Sequence, residues 1–168
     1  VDLAVGAYIW NEAAVQYILP EVRRRGFRGR IILGGPQISY AESGLEQLYP
    51  QADAFVRGYG ERAMTAIARS HDRTEIEGVH WAGTPDRESV ARPDLASLPS
   101  PYLDGAISVL PGQPFVRTET QRGCRYRCSF CQHREAGRRL RNRALGPQRV
   151  RDELALLAQR RTREIAIL

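Results

Sequence analysis

The sequence predicts an α/β fold in which a parallel β-sheet carries helices on its faces. Short apolar segments at residues 1–8, 30–33 and 52–56 favour buried strands, and each is followed by a turn and a helix-like pattern. Strands that alternate with helices are typical of parallel sheets. The apolar content, 42% of 168 residues, is enough for a buried core.

The first helix is predicted between Asn11, which can cap its start, and Gly26, where the chain is expected to leave the helical conformation. The apolar side chains expected on its inner face recur at helical spacing. They are Ala14, Val15, Ile18, Leu19 and Val22. Further helices are expected after the second and third strands.

Glycines follow the second and third predicted strands, in the stretches Gly34-Gly35-Pro36 and Gly58-Tyr59-Gly60. Glycines at the carboxyl ends of parallel strands let the backbone approach a bound cofactor closely. On spacing alone, tight strand-to-helix turns are the favoured explanation of these glycines. Neither a GxGxxG nor a P-loop pattern is present, which argues against a nucleotide bound through those motifs.

The composition changes after the third strand and its helix. Six prolines between residues 84 and 114 prevent a long helix and indicate an interdomain strap. A strand, loop, helix and strand follow, at 115–120, 121–146, 147–160 and 164–168. In that helix Val150, Leu154 and Leu157 are predicted to face inward.

We therefore predict three segments, 1–83, 84–114 and 115–168. Both ends of the chain fall inside apparent strands, whereas complete domains usually begin and end in loose polar tails. We expect the chain to be cut from a longer protein.

Positive charge is concentrated in the last third of the chain. Residues 1–111 carry 11 Arg and 14 acidic side chains, and residues 112–168 carry 14 Arg and 5 acidic ones, with no Lys anywhere. The densest cluster contains Arg122, Arg125, Arg127, Arg134, Arg138, Arg139, Arg141 and Arg143. A nucleic-acid surface is one interpretation, but the arginines surround three cysteines, where positive charge has another use.

No secretory signal and no apolar run of the ~20 residues needed for a membrane span is present. We expect a cytoplasmic protein.

All three cysteines, Cys124, Cys128 and Cys131, lie within eight residues. An odd, local set is not a disulfide framework, and these thiolates can converge on one soft metal centre. Zinc with His133 as the fourth ligand is an alternative, although His133 lies closer to Cys131 than zinc ligands commonly do. Electron-carrier ferredoxins use a fourth cysteine. Three cysteines on a four-iron cluster leave one iron open to bind a substrate.

The cysteine segment resembles the CxxxCxxC loop of the radical S-adenosylmethionine (SAM) superfamily, including the aromatic Phe130 before the last cysteine. The resemblance implies a (β/α)6 partial barrel and a [4Fe-4S] cluster on the three cysteines. It also implies that the open iron and Phe130 bind SAM, and that an external one-electron reductant supplies the electron that generates a 5′-deoxyadenosyl radical. Arg122, Arg125 and Arg127 are candidates for stabilising the thiolates.

The upstream region resembles the Rossmann-like cobalamin-binding domain found in one branch of this superfamily. Four stretches carry the likeness, at residues 8–11, 33–36, 56–61 and 94–102. It implies cobalamin contacts from Tyr8, Trp10, Asn11, Gly34, Gly35, Pro36, Gly58, Tyr59, Gly60 and Glu61. The family usually has an acidic residue where Tyr59 stands. None of His71, His80 and His133 is expected to bind cobalt, and structural or surface roles are expected for them.

Together the two resemblances imply a cobalamin-dependent radical SAM methyltransferase, in which methylcobalamin methylates a poorly nucleophilic centre of a small molecule or peptide. A related enzyme of ring formation or rearrangement is one alternative. The tRNA methylthiotransferase branch carries a second cysteine triplet, which this chain lacks. An alternative of another class is a zinc-binding interaction module. We expect the isolated 168 residues to be catalytically inactive.

Overall fold

The computed structural model describes residues 1–70, 72–92, 94–123, 126, 128–130 and 143–168. The chain divides into two compact units, Val1–Arg92 and Pro93–Leu168. Among the described residues, no helix has both the length and the apolar character that a membrane crossing requires.

The first unit is built on a four-stranded sheet. Its elements are β1 (Leu3–Gly6), α1 (Glu12–Arg24), β2 (Ile31–Gly34), α2 (Pro36–Ser39), α3 (Leu45–Leu48), β3 (Ala54–Val56), α4 (Gly60–Arg69) and β4 (Val79–Trp81). The strands lie in the order β1-β2-β3-β4, and the first three are parallel. The predicted α/β class is confirmed by this alternation of strands and helices.

β4 is a strand that the sequence did not predict. It pairs antiparallel with β3, so the sheet is mixed and not purely parallel. It has only three residues, and Gly78 and Gly83 on either side of it adopt positive φ angles of 78° and 82°. A strand this short, bounded by turn-forming residues, leaves too little alternation to be recognised in the sequence.

The sheet is covered on both faces, because successive side chains of a strand point to opposite sides. Ile31, Leu33 and Phe55 pack on one face with α1, α2 and α3. Their partners there include Val15, Leu19, Ile38, Leu45 and Tyr49. Ile32, Ala54 and Val56 pack on the other face, with Ala63, Ile67 and Trp81. This is the doubly wound arrangement expected from the sequence.

Helix α1 begins directly after Asn11 and ends before Gly26, as predicted. Val15 and Leu19 are buried, but Ala14 and Ile18 are exposed, so the predicted inner face was too wide. The apolar cluster contacts a narrow stripe of α1, Val15, Leu19 and the partly buried Val22, and the two exposed side chains lie beside this stripe.

The second unit contains a strand-helix-strand unit and a small two-stranded ladder. Its elements are a short 3-10 helix (Leu95–Ser97), β5 (Phe115–Thr118), β6 (Gln121–Arg122), β7 (Arg143–Ala144), α5 (Pro147–Gln159) and β8 (Glu164–Ile167). β5 and β8 are parallel neighbours, which agrees with the predicted strand-loop-helix-strand order. The antiparallel pair of β6 and β7 was not predicted.

Among the described residues of the second unit, the hydrophobic core cluster is small. It consists of Val109, Val116 and Leu157, with Tyr102 packed against them. Of the three α5 residues predicted to face inward, Leu157 is buried, whereas Val150 and Leu154 are half-buried. Glu153 is buried beside them, which the sequence analysis did not predict.

Candidate functional site

The carboxyl ends of three parallel strands meet at one edge of the first unit. β1 is in register with β2 from Leu3 opposite Ile31 to Gly6 opposite Gly34, and β2 pairs with β3. The loops that follow these strands therefore leave the sheet side by side. Cofactors of doubly wound sheets bind at such an edge.

The loop after β1 presents an aromatic surface. The rings of Tyr8 and Trp10 are stacked, with centroids 4.5 Å apart and an interplanar angle of 18°. Trp10 is 77% exposed, and Ile9 between the two rings is 79% exposed. An exposed apolar surface of this kind is typical of a binding site.

Asn11 holds this loop in shape. Its Oδ1 accepts a hydrogen bond of 2.8 Å from the backbone N–H of Tyr8, and its Nδ2 donates one of 2.9 Å to the carbonyl of Gly6. The side chain thus closes the turn that precedes α1, but it does not cap the helix by bonding to its first amides.

The next residue, Glu12, connects the start of α1 to α2 and to the residue that follows α3. Its carboxylate accepts hydrogen bonds from Gln37 Nε2 at 2.5 Å and from the Tyr49 hydroxyl at 3.1 Å. Burial, together with the nearby charge of Glu12, raises the pKa of Tyr49 to about 12. The aromatic loop therefore leads into a firmly held helix.

The Gly34-Gly35-Pro36 turn is bound to the loop after β1. The N–H of Ala7 donates to the carbonyl of Gly34 at 2.7 Å. Gly35 has φ +93°, and a Cβ there would lie 2.7 Å from the Ala7 carbonyl oxygen. Gly34 has ordinary space for a side chain, 3.6 Å from the nearest atom, and Pro36 begins α2. The chain's own backbone explains why position 35 is glycine.

The glycine at position 58, in the turn after β3, is also explained by the chain's own backbone. Gly58 has φ +81°, and a Cβ there would lie 2.5 Å from the Ala91 carbonyl oxygen. The N–H of Gly58 donates to Ser39 Oγ at 3.1 Å, and the N–H of Tyr59 donates to the Ala91 carbonyl at 3.2 Å. Gly60 and Glu61 lie in the first turn of α4. Cobalamin contacts from these residues remain predictions.

An ion pair that the sequence did not reveal lies beside this turn. Arg57 is 3% exposed at its side chain, and it donates two hydrogen bonds of 2.7 Å to the two carboxylate oxygens of Asp86. These bonds hold the pKa of Asp86 below its ordinary value, against the opposing effect of burial. A cleft of about 460 Å³ opens next to the pair. His80, which lines this cleft, is buried, with Nε2 2.9 Å from Glu46.

The cysteine loop follows β5 in the second unit. Cys128 is an exposed free thiol, and Phe130 is 92% exposed. Cys124, Cys131, Arg125, Arg127 and His133 lie outside the described residues, as do His71, Arg134, Arg138, Arg139 and Arg141. Within the described part of the chain, no three metal-binding side chains come together. The cluster ligands therefore remain a prediction.

The ends of the cysteine loop are described, and they are paired. Gln121 lies opposite Ala144 and Arg122 opposite Arg143 in the ladder of β6 and β7. The N–H of Leu145 also donates to the Thr120 carbonyl at 2.9 Å. The described residues on either side of 123–142 are thus held together, and the three cysteines lie between them in the sequence.

A buried carboxylate lies beside the strand that enters this loop. Glu153 Oε2 accepts a 2.6 Å hydrogen bond from Thr118 Oγ1, and Oε1 accepts one of 2.9 Å from Arg149 Nε. Burial raises the pKa of Glu153, but hydrogen bonds from Ser100, Thr118 and Arg149 outweigh burial and hold the pKa below its ordinary value. The signal in the sequence was a charged residue within the apolar stripe of α5.

Three known proteins are similar to this chain, whereas no protein-family model matches it. A 2-(S-pantetheinyl)-carbapenam-3-carboxylate methyltransferase of Streptantibioticus cattleyicolor is 29% identical over 145 residues, covering 77% of this chain and 21% of that protein. The cobalamin-dependent radical SAM methyltransferase TokK of Streptomyces tokunonensis is 30% identical over 148 residues, with the same shares. An uncharacterized methyltransferase of Pyrococcus horikoshii is 27% identical over 145 residues, covering 76% of this chain and 30% of that protein.

The chain spans about a fifth of the length of the first two relatives. The sheet of the first unit and the strand-loop-helix-strand order of the second agree with the two resemblances carried by the sequence. The similarity to TokK, whose name states both cofactors, agrees with them as well. The chain belongs to the cobalamin-binding radical SAM superfamily.

Proposed function

We propose that this chain is part of a cobalamin-dependent radical SAM methyltransferase. The observation that carries the proposal is the cysteine loop, in which Cys128 is exposed and the two ends are paired just beyond β5. The relatives support methyl transfer, because all three are methyltransferases by name.

The donor set fits an iron-sulfur cluster. In the proposal, Cys124, Cys128 and Cys131 hold a [4Fe-4S] cluster, and Phe130 contacts SAM. Three thiolates leave one iron open, whereas structural zinc takes four protein ligands. When bound, the cluster and SAM supply the one-electron chemistry, and cobalamin carries the methyl group.

The part of this chain is to hold and orient the cluster loop. The β6-β7 ladder keeps the loop ends together. At the loop entrance, Arg122 Nε donates a 2.7 Å hydrogen bond to Glu119, which restrains the guanidinium. Positive charge close to cysteines favours their thiolate forms, which are the forms that bind metals.

In the first unit, the carboxyl edge of the sheet would hold cobalamin. The stacked rings of Tyr8 and Trp10 form a flat surface beside that edge, which suits a large planar ring. The proposed contacts are Tyr8, Trp10, Asn11, Gly34, Gly35, Pro36, Gly58, Tyr59, Gly60 and Glu61. Asn11 acts through the loop that it closes, and Gly35 and Gly58 through the tight turns that they permit.

The cluster is tested in the longest natural chain that contains these residues, purified and reconstituted without oxygen. We expect about four iron and four sulfide per chain, the content of one [4Fe-4S] cluster. Replacing Cys128 with Ser should remove most of both. Replacing the adjacent Ser129 with Ala is the matched control and should remove neither. Zinc without iron or sulfide would contradict the proposal and favour the interaction module.

Methyl transfer is tested without knowledge of the substrate. The reconstituted protein is incubated with reduced cobalamin, a one-electron reductant and SAM labelled in its methyl group. We expect label in the cobalamin and, in the same mixture, 5′-deoxyadenosine from SAM cleavage. SAM cleavage without label in cobalamin would contradict methyl transfer and favour the enzyme of ring formation or rearrangement.

A further inference from the structure

Glu153, a charged residue in the middle of α5, is almost completely buried. Only 2% of its surface is exposed. Burying a carboxylate without partners is costly, so such groups are retained where hydrogen bonds and an opposite charge surround them. Glu153 has these partners, and they come from three separate segments of the second unit.

The partners connect the helix to two neighbours. Thr118 is the last residue of β5, and its hydroxyl binds Glu153 Oε2 at 2.6 Å. Ser100 belongs to the proline-rich segment and also binds the carboxylate. Arg149, one turn before Glu153, donates to Oε1 at 2.9 Å and to the Leu98 carbonyl at 2.8 Å. One carboxylate therefore links α5, β5 and residues 98–100.

From Thr118 the chain runs directly into the cysteine loop. The Thr118 carbonyl accepts a 2.9 Å hydrogen bond from the N–H of Leu168, and the N–H of Thr120 donates to the Leu168 carbonyl at 3.0 Å. The β6-β7 ladder begins at Gln121, one residue later. The main-chain bonds therefore fix this segment to β8 and β7, and among the described residues the Thr118 hydroxyl connects it to α5.

We infer that Glu153 is a positioning residue for the cysteine loop, which it holds in place through the hydroxyl of Thr118. The carboxylate fixes Thr118, six residues before Cys124, against α5, and the loop entrance at residues 119–122 takes its position from that contact. The inference rests on the proposed function only for the identity of the group that the loop holds.

Two of the three links can be broken separately, those from Thr118 and from Ser100. Thr118→Val keeps the branched shape of a strand residue and leaves the pair of Glu153 and Arg149 intact, so it removes the link to β5 alone. Ser100→Ala is the matched control, because it removes a hydroxyl from the same carboxylate but leaves the link to β5. Glu153→Gln removes the charge and weakens all three links.

Amide hydrogen exchange in the metal-free protein measures whether the loop entrance is held. We expect exchange at residues 119–122 and 143–145 to become about tenfold faster in Thr118→Val, since a hydrogen bond to a charged group is lost. In Ser100→Ala, exchange there should stay within about twofold of the unmodified protein. Equal exchange rates in the two variants would overturn the inference.

The electron paramagnetic resonance spectrum of the reduced protein, with and without SAM, measures whether the effect reaches the metal. We expect Thr118→Val to lose the spectral change that SAM causes in the unmodified protein, and Ser100→Ala to keep it. A normal SAM response in Thr118→Val would show that Glu153 has a structural role only, and would overturn the inference. If the unmodified protein binds no iron, the proposed function fails, while the exchange rates still decide whether Glu153 positions the loop.

Discussion

The two units of the chain hold their candidate sites by different means. In the first unit, a sheet covered on both faces supports the turns, and the chain's own backbone fills the space around Gly35 and Gly58. Among the described residues of the second unit, the core cluster has three buried apolar side chains, and a buried carboxylate with its donors ties β5 to α5. Apolar packing thus supports the first site, whereas specific polar contacts support the second.

The largest effect is expected from removing an apolar side chain from the centre of the first unit. Phe55 is fully buried on β3, within the larger of its clusters. Phe55→Ala should lower the free energy of unfolding by about 3–5 kcal/mol, through lost burial and the cavity that remains. Urea unfolding followed by tryptophan fluorescence measures this loss, because Trp81 packs on the other face of the same sheet.

Tyr17→Ala on the exposed side of α1 is the control for Phe55→Ala and should change the free energy of unfolding by less than about 0.5 kcal/mol. Similar losses in the two variants would show that apolar packing does not dominate the first unit.

The next largest effect on stability is expected at glycine turns where neighbouring backbone atoms leave no room for a side chain. Gly58 and Gly83 have nearly the same φ, +81° and +82°, but a Cβ at Gly58 would lie 2.5 Å from a carbonyl oxygen, whereas one at Gly83 would contact nothing within 4 Å. Gly83→Ala should cost about 1 kcal/mol, for the left-handed conformation alone. Gly58→Ala should cost about 3 kcal/mol, because the collision adds to that strain.

Thermal unfolding of Gly58→Ala and Gly83→Ala, measured in parallel, gives the difference between their losses of stability. Equal losses would mean that the contact with Ala91 relaxes freely, and that the turn after β3 is less rigid than its hydrogen bonds indicate.

Periodic patterns in the sequence were sufficient to predict most of the fold. The first three strands, α1, α5 and the parallel pair of β5 and β8 each have several residues at a regular spacing or a glycine or proline at an end. β4 and the β6-β7 ladder were missed, because three and two residues carry no period. Their pairing is decided by segments far away in the chain.

The candidate sites were predictable to different degrees. The cysteine site is predicted from spacing alone, because Cys124 and Cys131 lie outside the described residues, and the glycine turns were predicted from their position after strands. The pair of Arg57 and Asp86 joins residues 29 apart, and no local pattern indicates such a pair. Glu153 is an intermediate case. The sequence shows a charged residue between Val150 and Leu157 on the apolar stripe of α5, but it does not show which side chains pair with it.

A smaller effect on the stability of the second unit is expected when the pH is lowered. The pKa of Glu153 in the folded chain lies below its ordinary value of 4.5. The folded state therefore binds this proton less readily than the unfolded state does. The stabilisation that results is fully present above pH 4.5 and is lost as the pH falls through the folded pKa.

We expect the free energy of opening of the β5-β8 pair, measured by hydrogen exchange, to fall as the pH is lowered below about 4.5. Glu153→Gln should make that fall shallower. Asp152→Asn, next to it on the exposed side of α5, should leave the fall unchanged. An equally steep fall in the Glu153→Gln variant would show that other carboxyl groups govern the acid response of this unit.

The smallest effect on stability, and the sharpest separation of stability from binding, is expected at Trp10. Its side chain is mostly exposed and packs against Tyr8, so Trp10→Ala should cost at most about 1 kcal/mol of the free energy of unfolding.

In the proposed function the same change removes half of the flat surface that receives cobalamin, and we expect the dissociation constant for hydroxocobalamin to rise about tenfold. Tyr17→Ala removes an equally exposed aromatic side chain from α1 and should leave cobalamin affinity unchanged. Titration of the longest natural chain, followed by cobalamin absorbance, measures both variants. If Trp10→Ala binds as tightly as Tyr17→Ala, the aromatic loop is not the cobalamin surface, although the sheet edge that carries it would remain intact.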